Sequence, residues 1–273
     1  MQTLHSLTEI HKLYETGGSR PVEVMCENFE TYICKYSLPP ADKLFREYIA
    51  NRFAHIWGLH RPEGACVFID REHIPLDKIP DHISYEHFRI PCFGTRKHPY
   101  AKEVDATFLG KNDYRRALVD VEDYLKIALF DLWLSNEDRN AGNFNLLLDP
   151  IEGSEMFRFL LIDHERIFNS GNTDQEIYPI SLEDSLIDAP HFDMLFRSSK
   201  KLRDSIEILT GNFYIWVEAC NNRLTDLLSK VPPTWEIDLA YMKDYLNAHI
   251  FRESWLKVTE QHFRTYIQLK LHS

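Results

Sequence analysis

The 273-residue chain is short of several things, and each shortage removes a class of function. Its five cysteines, Cys26, Cys34, Cys66, Cys92 and Cys220, form no CxxC pair. An odd, scattered set argues against a disulfide frame or a cysteine zinc site and fits reduced thiols. No HExxH or HxH cluster occurs among the histidines, which argues against a catalytic zinc. No serine or cysteine sits in a nucleophile elbow. No apolar run is long enough to span a bilayer. Positive charge is scarce: 31 Lys and Arg stand against 42 Asp and Glu, for a net charge of −11. There is no basic stripe with interleaved aromatics, so direct nucleic-acid binding is not expected. The first residues carry acids and histidines where a secretory signal has a basic start and an apolar run. With no repeat or low-complexity tract, the expectation is a soluble, cytoplasmic globular protein with no membrane partner.

What is present is concentrated in one stretch. Asp138 is followed by Asn143 five residues later, then by an apolar strand, then by a second apolar strand ending in Asp163. Phosphoryl transfer needs such a set: one carboxylate orients the attacking hydroxyl, while an amide oxygen and another carboxylate hold the magnesium on the nucleotide phosphates. A loop rich in Asn, Asp and Gly is also the composition of an ordinary turn, and acids often end strands as turn residues or caps. The return of Asp163 toward the loop, through a hairpin over 144–162, favours a shared metal.

The rest of the chain supplies the frame. Leu4, Leu7, Ile10 and Leu13 recur every three residues and predict a short N-terminal helix. The stretch 16–21 reads as a tight loop. It has neither the Walker lysine spacing nor a GxGxxG pattern. Residues 22–36 alternate as a β-hairpin with Lys35 on the face opposite Tyr32 and Tyr36. Pro40 opens a helix with Leu44, Phe45, Tyr48, Ile49, Phe53, Ile56 and Trp57 as its apolar stripe, Glu47 at the edge of that stripe, and Gly58 as its stop. Further strands are expected over 65–69 and 88–93, with 94–99 linking two lobes. A helix from Val119 leads to Asp138, and 181–273 is mostly helical. Lys35 and Glu47 then read as a phosphate-binding lysine and its helix partner, or as a loose salt bridge worth little.

These residues, in this order, resemble the HipA-like kinases, a bacterial branch of the protein-kinase-like fold. The resemblance covers nearly the whole chain. It implies an α+β fold of two lobes, a small β-rich N-lobe over 1–95 and a larger, mainly helical C-lobe over 96–273. It implies that Asp138 is the catalytic base, that Asn143 and Asp163 hold Mg²⁺, and that Gly17, Gly18, Ser19, Lys35 and Glu47 serve ATP. Family activity is ATP-dependent phosphorylation of protein serine or threonine, often by the toxin of a toxin–antitoxin pair. In some members the loop serine is autophosphorylated, which makes Ser19 the position to suspect. The expected partners are a protein substrate and an antitoxin or a small N-subdomain-like protein, since only the kinase core is evident. One departure is Glu165, which stands where many related kinases place glycine. The alternatives are a nucleotide-binding pseudokinase, or a small-molecule or lipid kinase of the same fold.

Overall fold

The computed structural model describes residues 1–15, 19–75, 80, 83–105, 107–108, 114–196 and 201–272. The N-terminal part is a six-stranded sheet built from β1 (Gln2–His5), β2 (Lys12–Leu13), β3 (Val22–Met25), β4 (Thr31–Lys35), β5 (Gly64–Phe68) and β6 (Cys92–Arg96). Their order is β1-β5-β6-β4-β3-β2, with β1 parallel to β5 and every other neighbour antiparallel. The expected N-terminal helix is therefore absent; β1 and β2 occupy its place. Four apolar residues at a spacing of three cannot outweigh a sheet edge: Gln2 to His5 pair residue for residue with Ala65 to Phe68. Only Leu4 and Ile10 of that apolar set are buried, while Leu7 is exposed.

The β3–β4 hairpin follows the alternation in the sequence. Val22 lies opposite Cys34 and Val24 opposite Tyr32. These four side chains are buried in one cluster with Leu4, Ala65, Val67 and Cys92. A period of two then sends Ile33 and Lys35 to the other face. The strand expected over 88–93 begins late, because Tyr85–Phe88 forms a 3₁₀ turn and pairing starts only at Cys92. Gly94 is required there: a Cβ would stand 2.6 Å from Val67 Cγ2 and 3.0 Å from Cys34 Sγ.

Helix α1 (Asp42–Ile56) crosses behind this sheet and is buried nearly all round, including Arg46, Glu47 and Asn51. One side packs on the sheet, where Tyr48 meets Phe93 edge-on. The other belongs to the larger core, where Trp57 stacks on Trp133 at 5.3 Å. Gly58 ends it with a positive φ of 70°, as the sequence implies. A second sheet, β7 (Lys102–Glu103), β8 (Leu146–Pro150) and β9 (Phe157–Leu161), is antiparallel throughout. The remaining elements are α2 (Glu122–Leu134), α3 (Ile167–Gly171), α4 (Pro190–Phe196), α5 (Leu202–Leu228), α6 (Leu239–Ala248) and α7 (Glu253–His272). Trp255 donates to Trp133 O at 2.9 Å inside the helical part, whereas Trp235 donates to Pro91 O at 2.7 Å, just before β6. A β-rich N-terminal lobe and a helical C-terminal lobe make the fold two-lobed and kinase-like. Among the described residues no helix is long and apolar enough to cross a membrane.

Candidate active site

Lys35 ends β4 with its amine turned toward α1. Its Nζ donates to Glu47 Oε1 at 2.5 Å and to Asp163 Oδ1 at 2.7 Å. Three sequence-predicted residues from a strand, a helix and the end of a hairpin thus share one set of contacts. Glu47 Oε1 also accepts the His164 backbone N–H at 2.9 Å, so the glutamate fixes both the lysine and the chain just past Asp163. Burial alone would discharge the lysine, but Glu47 and Asp163 override it and hold Lys35 above its ordinary value. Burial pushes Glu47 up, and the neighbouring Asp163 charge adds to that against Lys35. Asp163 moves the other way, to about 2: burial opposes its charge, and the Lys35 contact wins. It sits at a left-handed φ of 58°, which aspartate tolerates better than most residues.

The loop bearing Asp138 is built from below. Helix α2 ends at Ser135 in a left-handed cap. Asp131, in the last turn of α2, accepts Asn136 Nδ2 at 2.9 Å and pairs with the Arg139 guanidinium. Arg139 is fully buried and donates onward to Ile162 O at 2.8 Å and Asp163 O at 3.2 Å. One guanidinium therefore bolts the loop to the backbone that presents Asp163. Asp138 Oδ2 accepts two amides, Asn143 Nδ2 and Asn145 Nδ2, each at 3.1 Å. Its Oδ1 lies 3.8 Å from Arg166 Nε. Asn143 is exposed, whereas Asn145 is half-buried where the chain enters β8.

Sequence reasoning missed Asp131, Arg139 and Asn145. Arg139 follows Asp138 directly, and a cation beside so many apolar residues needs a buried acid; Asp131 is the acid in the apolar last turn of α2. Asn145 offered no such signal, since a third amide in an Asn-rich loop looks like turn composition.

Glu165 is more central than its sequence position suggested. Its carboxylate pairs with Lys43 Nζ at 2.5 Å, lies 3.7 Å from Lys35 Nζ and accepts a hydrogen bond from the Ser19 side chain. Burial opposes its charge, and these donors hold it below the usual carboxylate range. Glu47, Asp163 and Glu165 each offer an oxygen within 4.8 Å of one another. Arg46, next to Glu47 on α1, donates to Glu165 O at 2.6 Å. Its guanidinium rests on Gly171, where a Cβ would come within 2.1 Å of Arg46 Nη1. The expected ATP-contacting Gly17 and Gly18 lie outside the described residues, while Ser19 is half-buried against Glu165.

The donors are all oxygens on the acidic side and a lysine on the basic side, a composition suited to a hard cation carrying phosphates. No curated protein sequence matches the chain. Among solved structures, the crystal structure of the Helicobacter pylori proinflammatory kinase CtkA is similar over 98% of this chain and 99% of its own, with a TM-score of 0.58 and 14% identity. That likeness supports the fold. The Golgi casein kinase crystallised with Mn/ADP is also 14% identical over 97% of this chain and 74% of its own, at a TM-score of 0.48, too loose to carry more. The model of the HipA-like kinase family matches residues 7–267, and the chain belongs to that family.

Proposed function

We propose that the protein is an Mg·ATP-dependent phosphotransferase whose acceptor is a protein serine or threonine. The observation that carries this reading is Lys35 Nζ lying 2.5 Å from Glu47 and 2.7 Å from Asp163, with Arg139 tying the Asp138 loop to the same backbone. In this reading Lys35 binds nucleotide phosphate and Glu47 orients it. Asp138 accepts the proton of the acceptor hydroxyl, and Asp163 with Asn143 would hold the metal. The fit to Mg²⁺ rests on oxygen ligands only, in keeping with the side chains of Asp163 and Asn143. A bound metal would neutralise charge on the nucleotide phosphates.

The amides on Asp138 Oδ2 keep that carboxylate turned in one direction before any substrate arrives. Ser19, hydrogen-bonded to Glu165, is our choice for self-modification. A phosphate there would add nearly two negative charges beside a carboxylate, which would drive the loop away. A toxin role and an antitoxin or N-subdomain-like partner follow from family membership as proposals, as does a cytoplasmic location. Glu165 favours a second reading, a nucleotide-binding module without turnover, because its carboxylate competes with phosphate for Lys35.

The test is intact mass after incubation with Mg·ATP, beside Asp138→Asn, with peptide mapping. Gain of one phosphate by the wild type alone supports the kinase reading, and mapping to Ser19 supports self-modification. No transfer to itself or to any added protein, despite magnesium-dependent nucleotide binding, supports the second reading.

A further inference from the structure

A cavity of about 440 Å³, lined by none of the residues of the Lys35–Asp163 cluster, is ringed by His55, His60, Arg61, Arg96, Lys97, His98 and Arg158. Its floor is apolar, Leu59 and Leu160, and Glu63 is the one carboxylate among its lining residues. This is a concentration of basic side chains in a chain of net charge −11. Most of them are balanced from outside the cavity: Arg96 by Glu30 at 2.8 Å, Lys97 by Glu23 at 2.9 Å, Arg158 by Asp149 at 2.8 Å, and His98 by Asp149 at 3.0 Å. Arg61 makes no ion pair among the described residues, and Glu63 is the one acid that acts on it. Its Nε is buried with no hydrogen-bond partner, and its one hydrogen bond among the described residues is a long 3.4 Å one from Nη1 to the neighbouring Pro62 O. The side chains of His55 and His60 have no hydrogen-bond partner among the described residues.

An unpartnered buried guanidinium N–H costs stability, and cations gathered in one place repel. The field is visible in the neighbours. Burial, then Arg61, Arg52 and Arg223, lowers the His55 pKa. Burial, then Arg158, lowers that of His60. An oxyanion supplies the two things missing, acceptor oxygens for the guanidinium fork and negative charge. The volume exceeds that of one phosphate ion and lies in the range of small-ligand pockets.

We propose that this cavity is a second ligand site, built for a phosphate-bearing small molecule and separate from the Lys35–Asp163 cluster. Its position gives such a ligand purchase on both sheets. In the loop over 59–63, His60 O accepts Leu161 N–H from β9 and Glu63 O accepts Arg96 N–H from β6, both at 2.9 Å. The proposal does not depend on the phosphotransferase reading.

The test is calorimetric titration of the full chain with inorganic pyrophosphate in the presence of EDTA. Wild type and Lys35→Met, which removes the phosphate-binding lysine of the cleft, are compared with Arg61→Gln and Arg158→Gln. The expected result is equal binding by wild type and Lys35→Met, with Kd weaker by about tenfold or more in both cavity variants. Ligand-free Arg61→Gln should melt no lower than wild type, as befits a residue held for a ligand. If Arg61→Gln does not fold, Arg158→Gln and Arg61→Lys decide, the latter retaining part of the affinity. No binding by the wild type, undiminished binding by the cavity variants, or loss in Lys35→Met alone would overturn the proposal.

Discussion

Glu47 Oε1 and Lys35 Nζ stand 2.5 Å apart with almost no solvent on either side chain, at 5% and 14% exposure. A buried pair of this kind is costly to break from one side only, since the partner keeps its charge without compensation. Lys35→Ala leaves Glu47 and Asp163 facing each other and should destabilise the fold by ~3 kcal/mol. Glu47→Gln keeps a hydrogen-bond partner for the lysine and should cost less. Urea unfolding of both variants checks the ranking, and a smaller loss for Lys35→Ala would contradict it.

Arg139 and Asp131 give a sharper stability prediction, because both are at most 1% exposed. Arg139→Met should lower stability by about 3–5 kcal/mol, leaving a buried carboxylate with only the Asn136 amide and no counter-charge. Adding Asp131→Leu to that variant should recover a substantial part, a double-mutant coupling that independent surface sites do not show. Additive losses would mean that the pair is not coupled.

Asn145 should matter through Asp138. Asn145→Ala removes one of two amides on Asp138 Oδ2 and should lower kcat by roughly tenfold, leaving the KM for nucleotide nearly unchanged. Asp163→Ala should instead weaken Mg·ATP binding itself. Steady-state kinetics with direct nucleotide titration separates the two, and a pure KM effect for Asn145→Ala would refute its positioning role.

Glu165→Gly removes the carboxylate from Lys35, Lys43 and Ser19 together. Nucleotide affinity should rise by several-fold, on the order of 1 kcal/mol, because a phosphate no longer competes with a resident anion. Unchanged or weaker affinity would show that Glu165 assists nucleotide instead of excluding it.

Asp123, in the first turn of α2, supplies a pH test. Burial, then Asp120, pushes its carboxyl up to about 6 from 3.8, against Lys126. A carboxyl raised on folding favours the folded state while protonated. That contribution is complete below about pH 4 and is lost as pH rises through about 6. Asp123→Asn should therefore gain on wild type by ~1 kcal/mol between those pH values. Parallel stability curves for the two proteins would refute the assignment.

Much of this site could be read from the chain because its residues are held by periodic elements. Lys35 was placed by strand alternation, Glu47 by the helix stripe, and Asp163 by the end of an apolar run. The N-terminal strands were not legible: Leu4, Leu7, Ile10 and Leu13 carry a helical spacing, and only the free edge of β5 makes β1 a strand. Contacts joining distant segments were hidden for the same reason. Arg139 reaches Asp163 O, and Ser19 reaches Glu165, only after two sheets and α1 are assembled.

Neighbouring residues of α1 grip the same short segment from two directions. Glu47 accepts the N–H of His164, and Arg46 donates a hydrogen bond to the carbonyl of Glu165 while resting on Gly171. A single attachment would act as a swivel; two at adjacent residues remove the rotation as well as the translation. The Asp163 segment is thereby fixed to α1 at two adjacent points, and the chain that leaves the same helix begins with Trp57, stacked on Trp133.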